Sequence, residues 1–222
     1  MNARQLQQWL VEHGQPIAVD AIVGPETRAA ILAAFANTCA PAVSEAQISG
    51  FAKRLSCSVR QIKAIAKVES GGSAFDSKGR PKILFERHLF HRLTDGRFSP
   101  SIFSEAKGGG YDHSSWDKLI HAACRDAEAA FAAVSWGRFQ VLGMHWSALG
   151  YTSPLSLAYS TVCTEAAHYE LLCRYIETNK LSQHVQCLSA KASDNRAFAR
   201  AYNGPAYERF AYHEKLAREM AA

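Results

Sequence analysis

No apolar run in this chain approaches the roughly 18 consecutive residues that a membrane-spanning helix requires, so stable membrane insertion is not expected. The opening Met-Asn-Ala-Arg-Gln-Leu-Gln-Gln-Trp lacks a basic region followed by an apolar core, and the expectation is synthesis without a signal peptide and folding in a cytoplasm. Cys-x-x-Cys pairs are missing as well. Cys39, Cys57, Cys124, Cys163, Cys173 and Cys187 stand far apart, which argues against zinc and for reduced, mostly buried thiols without a disulfide framework. The triplet Gly108-Gly109-Gly110 has neither a following Lys-Ser/Thr nor a preceding apolar strand, which excludes a phosphate-binding loop. Acidic excess is absent too. Lys and Arg number 25 against 20 Asp and Glu, and the net charge of +5 favours an anionic partner: nucleic acid, an acidic membrane surface or a negatively charged wall.

What is present suits one catalytic domain with a small appendage: 222 residues, 48% of them hydrophobic, are ample for a sizeable core. The most informative stretch is Gln61-Ile62-Lys63-Ala64-Ile65-Ala66-Lys67-Val68-Glu69-Ser70-Gly71-Gly72. Ile62, Ile65, Ala66 and Glu69 fall at i, i+3, i+4 and i+7, so a carboxylate lies in line with an apolar stripe at the C-terminal end of a helix. Poor solvation and the negative end of the helix dipole both disfavour its ionised form. That is how a general acid is built. The competing reading is an ordinary helix-end Glu that bends out to water, with Gly71 and Gly72 stopping the helix.

Residues 1–37 predict two short helices around a turn, the second opening with Pro25 at its first position. Val19-Asp20-Ala21-Ile22-Val23-Gly24-Pro25-Glu26-Thr27-Arg28-Ala29-Ala30-Ile31 resembles the repeat of small helical peptidoglycan-binding domains, shortened relative to that family. A DNA-binding helix-turn-helix would want a basic second helix, and this one offers Arg28 against Glu26, so no nucleic acid partner is expected. Residues 38–43 form a linker, and 44–222 the catalytic domain. Ser44 with Gln47 and Ser58 with Gln61 have capping-box spacing, predicting helices from Glu45 and Val59.

Ile83 to Glu86 predicts a short strand or hairpin arm leading into a helical turn, with Glu86 as a second carboxylate beside Arg87 and solvent. His88 and His91 lack the further ligands of a metal set, so no metal or cofactor is expected. Residues 94–117 predict a long surface loop. Helices are expected over about 116–134 and, as one long apolar element, over about 155–178. A final amphipathic helix over about 207–220 could touch a membrane through Phe210, Tyr212 and Leu216, but its mixed charges fit a docked terminal helix better.

Three separated motifs then agree. Glu69-Ser70-Gly71, Gly137-Arg138-Phe139-Gln140 and Ala201-Tyr202-Asn203-Gly204 stand in the order found in goose-type lysozymes and soluble lytic transglycosylases. More closely, Ile83-Leu84-Phe85-Glu86-Arg87-His88-Leu89-Phe90 and Ser135-Trp136-Gly137-Arg138-Phe139-Gln140-Val141-Leu142-Gly143 resemble the phage-type N-acetylmuramidase family of modular endolysins, over roughly residues 45–220. Phe139 and Pro205 depart from the transglycosylase pattern. The resemblance implies a mainly α, lysozyme-like helical domain with a small β-hairpin region and a short N-terminal helical segment. It implies a monomeric lytic enzyme made in a bacterial host and released to act on peptidoglycan between N-acetylmuramic acid and N-acetylglucosamine; an injected antibacterial effector is the alternative context.

Glycosidic cleavage needs a proton donor on the departing oxygen and a second group for the positive charge that develops on the sugar. Glu69 is the candidate acid; Glu86 is the candidate second carboxylate, activating water or stabilising the transition state. Ser70, Gln140, Tyr202 and Asn203 are the candidate substrate-binding residues, Tyr202 offering a ring face to the sugar and a hydroxyl to Glu69. Two alternatives remain at this stage: a lytic transglycosylase that uses one carboxylate and leaves 1,6-anhydro products, and a wall-binding protein with a vestigial site.

Overall fold

The computed structural model describes residues 1–69, 73–98 and 115–222. In chain order the elements are α1 (Ala3–Glu12), α2 (Pro25–Ala34), α3 (Glu45–Arg54), α4 (Val59–Glu69), β1 (Ile83–Phe85), α5 (Arg87–Leu93), α6 (Ser115–Ala123), α7 (Ala127–Ala132), β2 (Val134–Trp136), β3 (Val141–Leu142), α8 (Pro154–Ser160), α9 (Glu165–Thr178), α10 (Ser182–Gln186), α11 (Arg196–Asn203) and α12 (Tyr212–Ala221). The expected mainly α architecture is present, with one small antiparallel sheet among the described residues, ordered β1-β2-β3. Its register pairs Leu84 with Ser135 and Trp136 with Val141. The predicted loop over 94–117 falls mostly outside the described residues.

Three helix boundaries differ from the periodicity reading. The single helix expected over 155–178 is α8 and α9. Ser160 and Thr161 hydroxyls bond back to the carbonyls of Leu157 and Ala158, both at 2.7 Å, and Thr164 accepts from Ala167 N at 3.1 Å to cap a new helix. Over 116–134, Asp126 likewise caps α7, and the chain enters β2 at Val134. The last helix starts at Tyr212, because Gly204 and Ala211 adopt positive φ around a 3-10 turn at Pro205–Tyr207. The cysteine expectation is corrected as well: Cys173 is buried, whereas Cys39, Cys163 and Cys187 are exposed.

The chain divides into two compact units, one formed by Met1–Ala40 with Phe75–Cys163, the other by Pro41–Ala74 with Thr164–Ala222. The first unit is built on aromatic residues. Phe35, fully buried, stacks on Phe131 and Trp136 at centroid distances of 5.7 and 5.6 Å. The two core indoles keep their N–H groups satisfied, Trp116 donating to Pro81 O and Trp136 to Phe131 O. A Cβ on Gly143 would lie 2.2 Å from Phe131 O, so this close approach admits glycine alone. In the N-terminal segment the buried Gln7 donates to Asp20 Oδ1, Ile22 O and Thr27 Oγ1 and accepts from Ala21 N, fixing the irregular connection between α1 and α2.

The second unit collects α3, α4 and α9 to α12. Both expected capping boxes form, with Gln47 N donating to Ser44 and Gln61 N to Ser58. Gln61 also donates to the carbonyls of Gln186 and Leu188. Arg54 clasps Glu177 with two hydrogen bonds and reaches Glu170 with a third. Ile62 and Ile65 are fully buried on the inner face of α4, and α4 packs along α12. Arg60, near the start of α4, donates to Met220 O near the end of α12, so the two helices run antiparallel.

Candidate active site

Glu69 is the last residue of α4 and is half-buried, while Ile62, Ile65 and Ala66 on the same face are buried. The phase that buries the isoleucines therefore carries the carboxylate inward. Burial raises its pKa to about 7, against lesser lowering by the hydrogen bond from Asn203 and by the charge of Lys215. Asn203 Nδ2 donates to Glu69 Oε1 at 3.0 Å. This asparagine ends α11, and Gly204 at φ 76° then turns the backbone away, so the helix terminus delivers the amide to the carboxyl.

Tyr202 stands beside this pair. Its ring stacks on Phe198 at 5.4 Å and meets Tyr175 edge-on at 5.4 Å, so one face is occupied by protein. Burial, then the nearby Glu69 and Tyr175, hold its phenol well above the ordinary range. The hydroxyl stays protonated and able to donate. Two residues that the motifs did not single out also feel Glu69: Lys215, and Tyr212, whose phenol is raised by burial first and then by the Glu69 charge. They lie one helical turn apart at the start of α12, a spacing that in the sequence looked like any charged terminal helix.

The other candidates belong to the first unit, except Ser70, which lies outside the described residues. Glu86 follows β1 at the N-cap of α5, its backbone N–H donating to Ala133 O at 2.8 Å. Its side chain is 16% exposed, and His88 Nδ1 lies 3.4 Å from Oε2. This corrects the expectation of a solvent-facing carboxylate beside Arg87: the peptide turns into a helix at Glu86, which brings His88 back onto it. Gln140 sits at φ 51° in the turn between β2 and β3. Its amide nitrogen donates to Gly137 O within that turn at 2.8 Å and to Lys82 O, just before β1, at 3.4 Å, so both amide hydrogens are committed to backbone carbonyls.

A half-buried carboxyl that holds its proton near neutrality, oriented by an amide and flanked by a protonated phenol, is equipped to protonate a leaving oxygen. The N-acetylmuramidase family model matches residues 58–222, a span that includes Glu69, Glu86, Gln140, Tyr202 and Asn203. The chain belongs to the N-acetylmuramidase family. This muramidase is a glycoside hydrolase whose substrate is peptidoglycan. Its fold is lysozyme-like and similar to the crystal structure of the Burkholderia AP3 phage endolysin, with a TM-score of 0.74, 27% identity, and coverage of 99% of this chain and 93% of that one. No curated protein matches the muramidase in sequence. Among its described residues no helix is long and apolar enough to cross a membrane.

Proposed function

We propose that this muramidase is an endolysin that hydrolyses the bond from N-acetylmuramic acid to N-acetylglucosamine with Glu69 as general acid. The observation that carries the assignment is the Glu69 carboxyl, raised to about 7 by burial while bound by Asn203. Glu69 gives its proton to the departing glycosidic oxygen as the C–O bond breaks, and water adds to the sugar carbon. Glu86 is the second carboxylate: it takes the proton of that water or balances the oxocarbenium charge. Asn203 keeps Glu69 in place. Tyr202 donates from its hydroxyl, and Gln140, its amide hydrogens already used, offers its carbonyl oxygen to an N-acetyl N–H. Ser70, next to Glu69 in the sequence, contributes to substrate binding.

Residues 1–37 hold the wall through the exposed side of the connection that runs from Asp20 to the start of α2, the protein works as a monomer, and nucleic acid is not a partner. It is made inside a bacterial host and reaches the wall after release. Mass spectrometry of digested sacculi tests the reaction. Reducing-end N-acetylmuramic acid is expected from the wild type, together with a rate loss in Glu86→Gln far beyond that of a surface change. Products lighter by one water, with a nearly normal Glu86→Gln enzyme, would make Glu69 the only catalytic carboxylate and the enzyme a transglycosylase.

A further inference from the structure

Phe210, Tyr212 and Lys215 stand together at the start of α12 with no part in the mechanism given above. Because α4 and α12 are antiparallel, tied at Arg60 and Met220, the far end of α4 that carries Glu69 lies beside the first turn of α12. The turn into α12 places Ala211 at φ 52°, a left-handed conformation that an alanine adopts only under local constraint. Through that kink Phe210 points outward, 52% exposed, while Tyr212 is half-buried on the side of Glu69. The rings of Phe210 and Tyr212 are 6.2 Å apart at 61°. Each carries a cation: Arg209 sits 5.7 Å over the Phe210 ring and Lys215 Nζ 5.1 Å over the Tyr212 ring.

Lys215 is exposed, and among the described residues no carboxylate forms an ion pair with it. An exposed aromatic next to Tyr212, whose phenol feels the Glu69 charge, suits the apolar face of a pyranose. An ammonium held over the neighbouring Tyr212 ring suits an anion carried by that same sugar.

We propose that this face is a subsite for the acidic sugar of the glycan, Phe210 stacking on the ring and Lys215 binding the carboxylate of the 3-O substituent of the muramyl residue. The carboxylate is the lactyl group on strands stripped of peptide and a stem-peptide carboxylate on substituted strands. This assignment rests on Glu69 being the acid, since it places the subsite next to the bond that is cut. It makes Lys215 a specificity determinant: the enzyme distinguishes muramyl from glucosaminyl residues by charge as well as by shape.

The test uses the full chain and soluble uncrosslinked glycan strands in two forms, stripped and peptide-bearing, each also with its carboxylates converted to neutral amides. Wild type is expected to show a lower KM on the charged form of at least one strand type by about three- to tenfold, the range for a partly exposed charged contact. The strand type that shows it identifies which carboxylate binds. Lys215→Met should abolish that ratio, Lys215→Arg should keep most of it, and Phe210→Ala should raise KM on charged and neutral strands alike. Using the ratio at one pH cancels any change that Lys215 makes in Glu69 itself. A wild type indifferent to amidation, or a Lys215→Met enzyme that keeps the ratio at any overall rate, overturns the proposal. Glu69→Gln, assayed alongside, separates the two claims, because an active Glu69→Gln enzyme removes the acid assignment whatever the amidation ratio is.

Discussion

Asn203 Nδ2 and Glu69 Oε1 are 3.0 Å apart, and the amide can only donate across that distance. Oε1 is therefore the accepting oxygen, and because a carbonyl oxygen accepts better than a hydroxyl, the bond favours the proton of neutral Glu69 on Oε2. The amide thus selects which carboxyl oxygen acts as the acid. A protonation preference of this kind costs no charge near the substrate and leaves the proton on the oxygen that Asn203 does not engage.

Glu69→Gln is isosteric and neutral. It should preserve the fold and lower turnover about a thousandfold, within the usual range for loss of general acid catalysis, as read by release of soluble fragments from sacculi. Circular dichroism checks the fold. Rates near wild type would remove Glu69 from the chemistry.

The same group gives stability a defined pH dependence. Its pKa is raised on folding, from 4.5 to about 7. Below about 4.5 both states hold the proton; between the two values the unfolded chain releases it while the folded one keeps it, so stability falls as pH rises through this window. Denaturant titrations from pH 4 to 8 should show that decline, and Glu69→Gln should flatten it. The alkaline limb of activity should lie near 7, where the acid loses its proton.

Removing the Asn203 amide removes the larger of the two interactions that lower the Glu69 pKa. Asn203→Ala should move the alkaline limb of the rate profile to higher pH. It should also reduce kcat about tenfold, as expected for losing one hydrogen bond to a reacting group. A limb displaced to lower pH would contradict the hydrogen-bond geometry.

Phe35 couples the N-terminal segment to the core of its unit, so a deletion of residues 1–37 cannot isolate wall binding. Phe35→Ala should destabilise the protein by about 3–5 kcal/mol, measured by urea melts. Ile22, 67% exposed on the irregular connection, is the cleaner probe. Ile22→Gln should weaken retention on purified sacculi several-fold and leave both the melt and turnover on soluble fragments unchanged.

The features legible in the sequence were those encoded within one or two helical turns. Ser44 with Gln47 and Ser58 with Gln61 announced their helices, because a capping box is a local hydrogen-bond exchange. Glu69 was legible through the phase it shares with Ile62 and Ile65. The break at Ser160–Thr164 was not, since apolar spacing continues through it while the hydroxyls that end α8 and begin α9 leave no periodic signal. Glu86 was placed correctly at the end of a strand, but its cover by His88 depended on where the following helix begins. Lys215 and Tyr212 became visible only when α12 was seen antiparallel to α4.

The Asn203–Glu69 hydrogen bond spans 134 residues of chain. On the ribosome the helix bearing the proposed acid emerges 134 residues before the amide that orients it. A nascent or prematurely terminated muramidase therefore carries its acid without the group that chooses the proton's position. On the proposed mechanism, catalytic competence arrives only once α11 has been made, which ties the onset of wall-cutting activity to synthesis of the chain through Asn203.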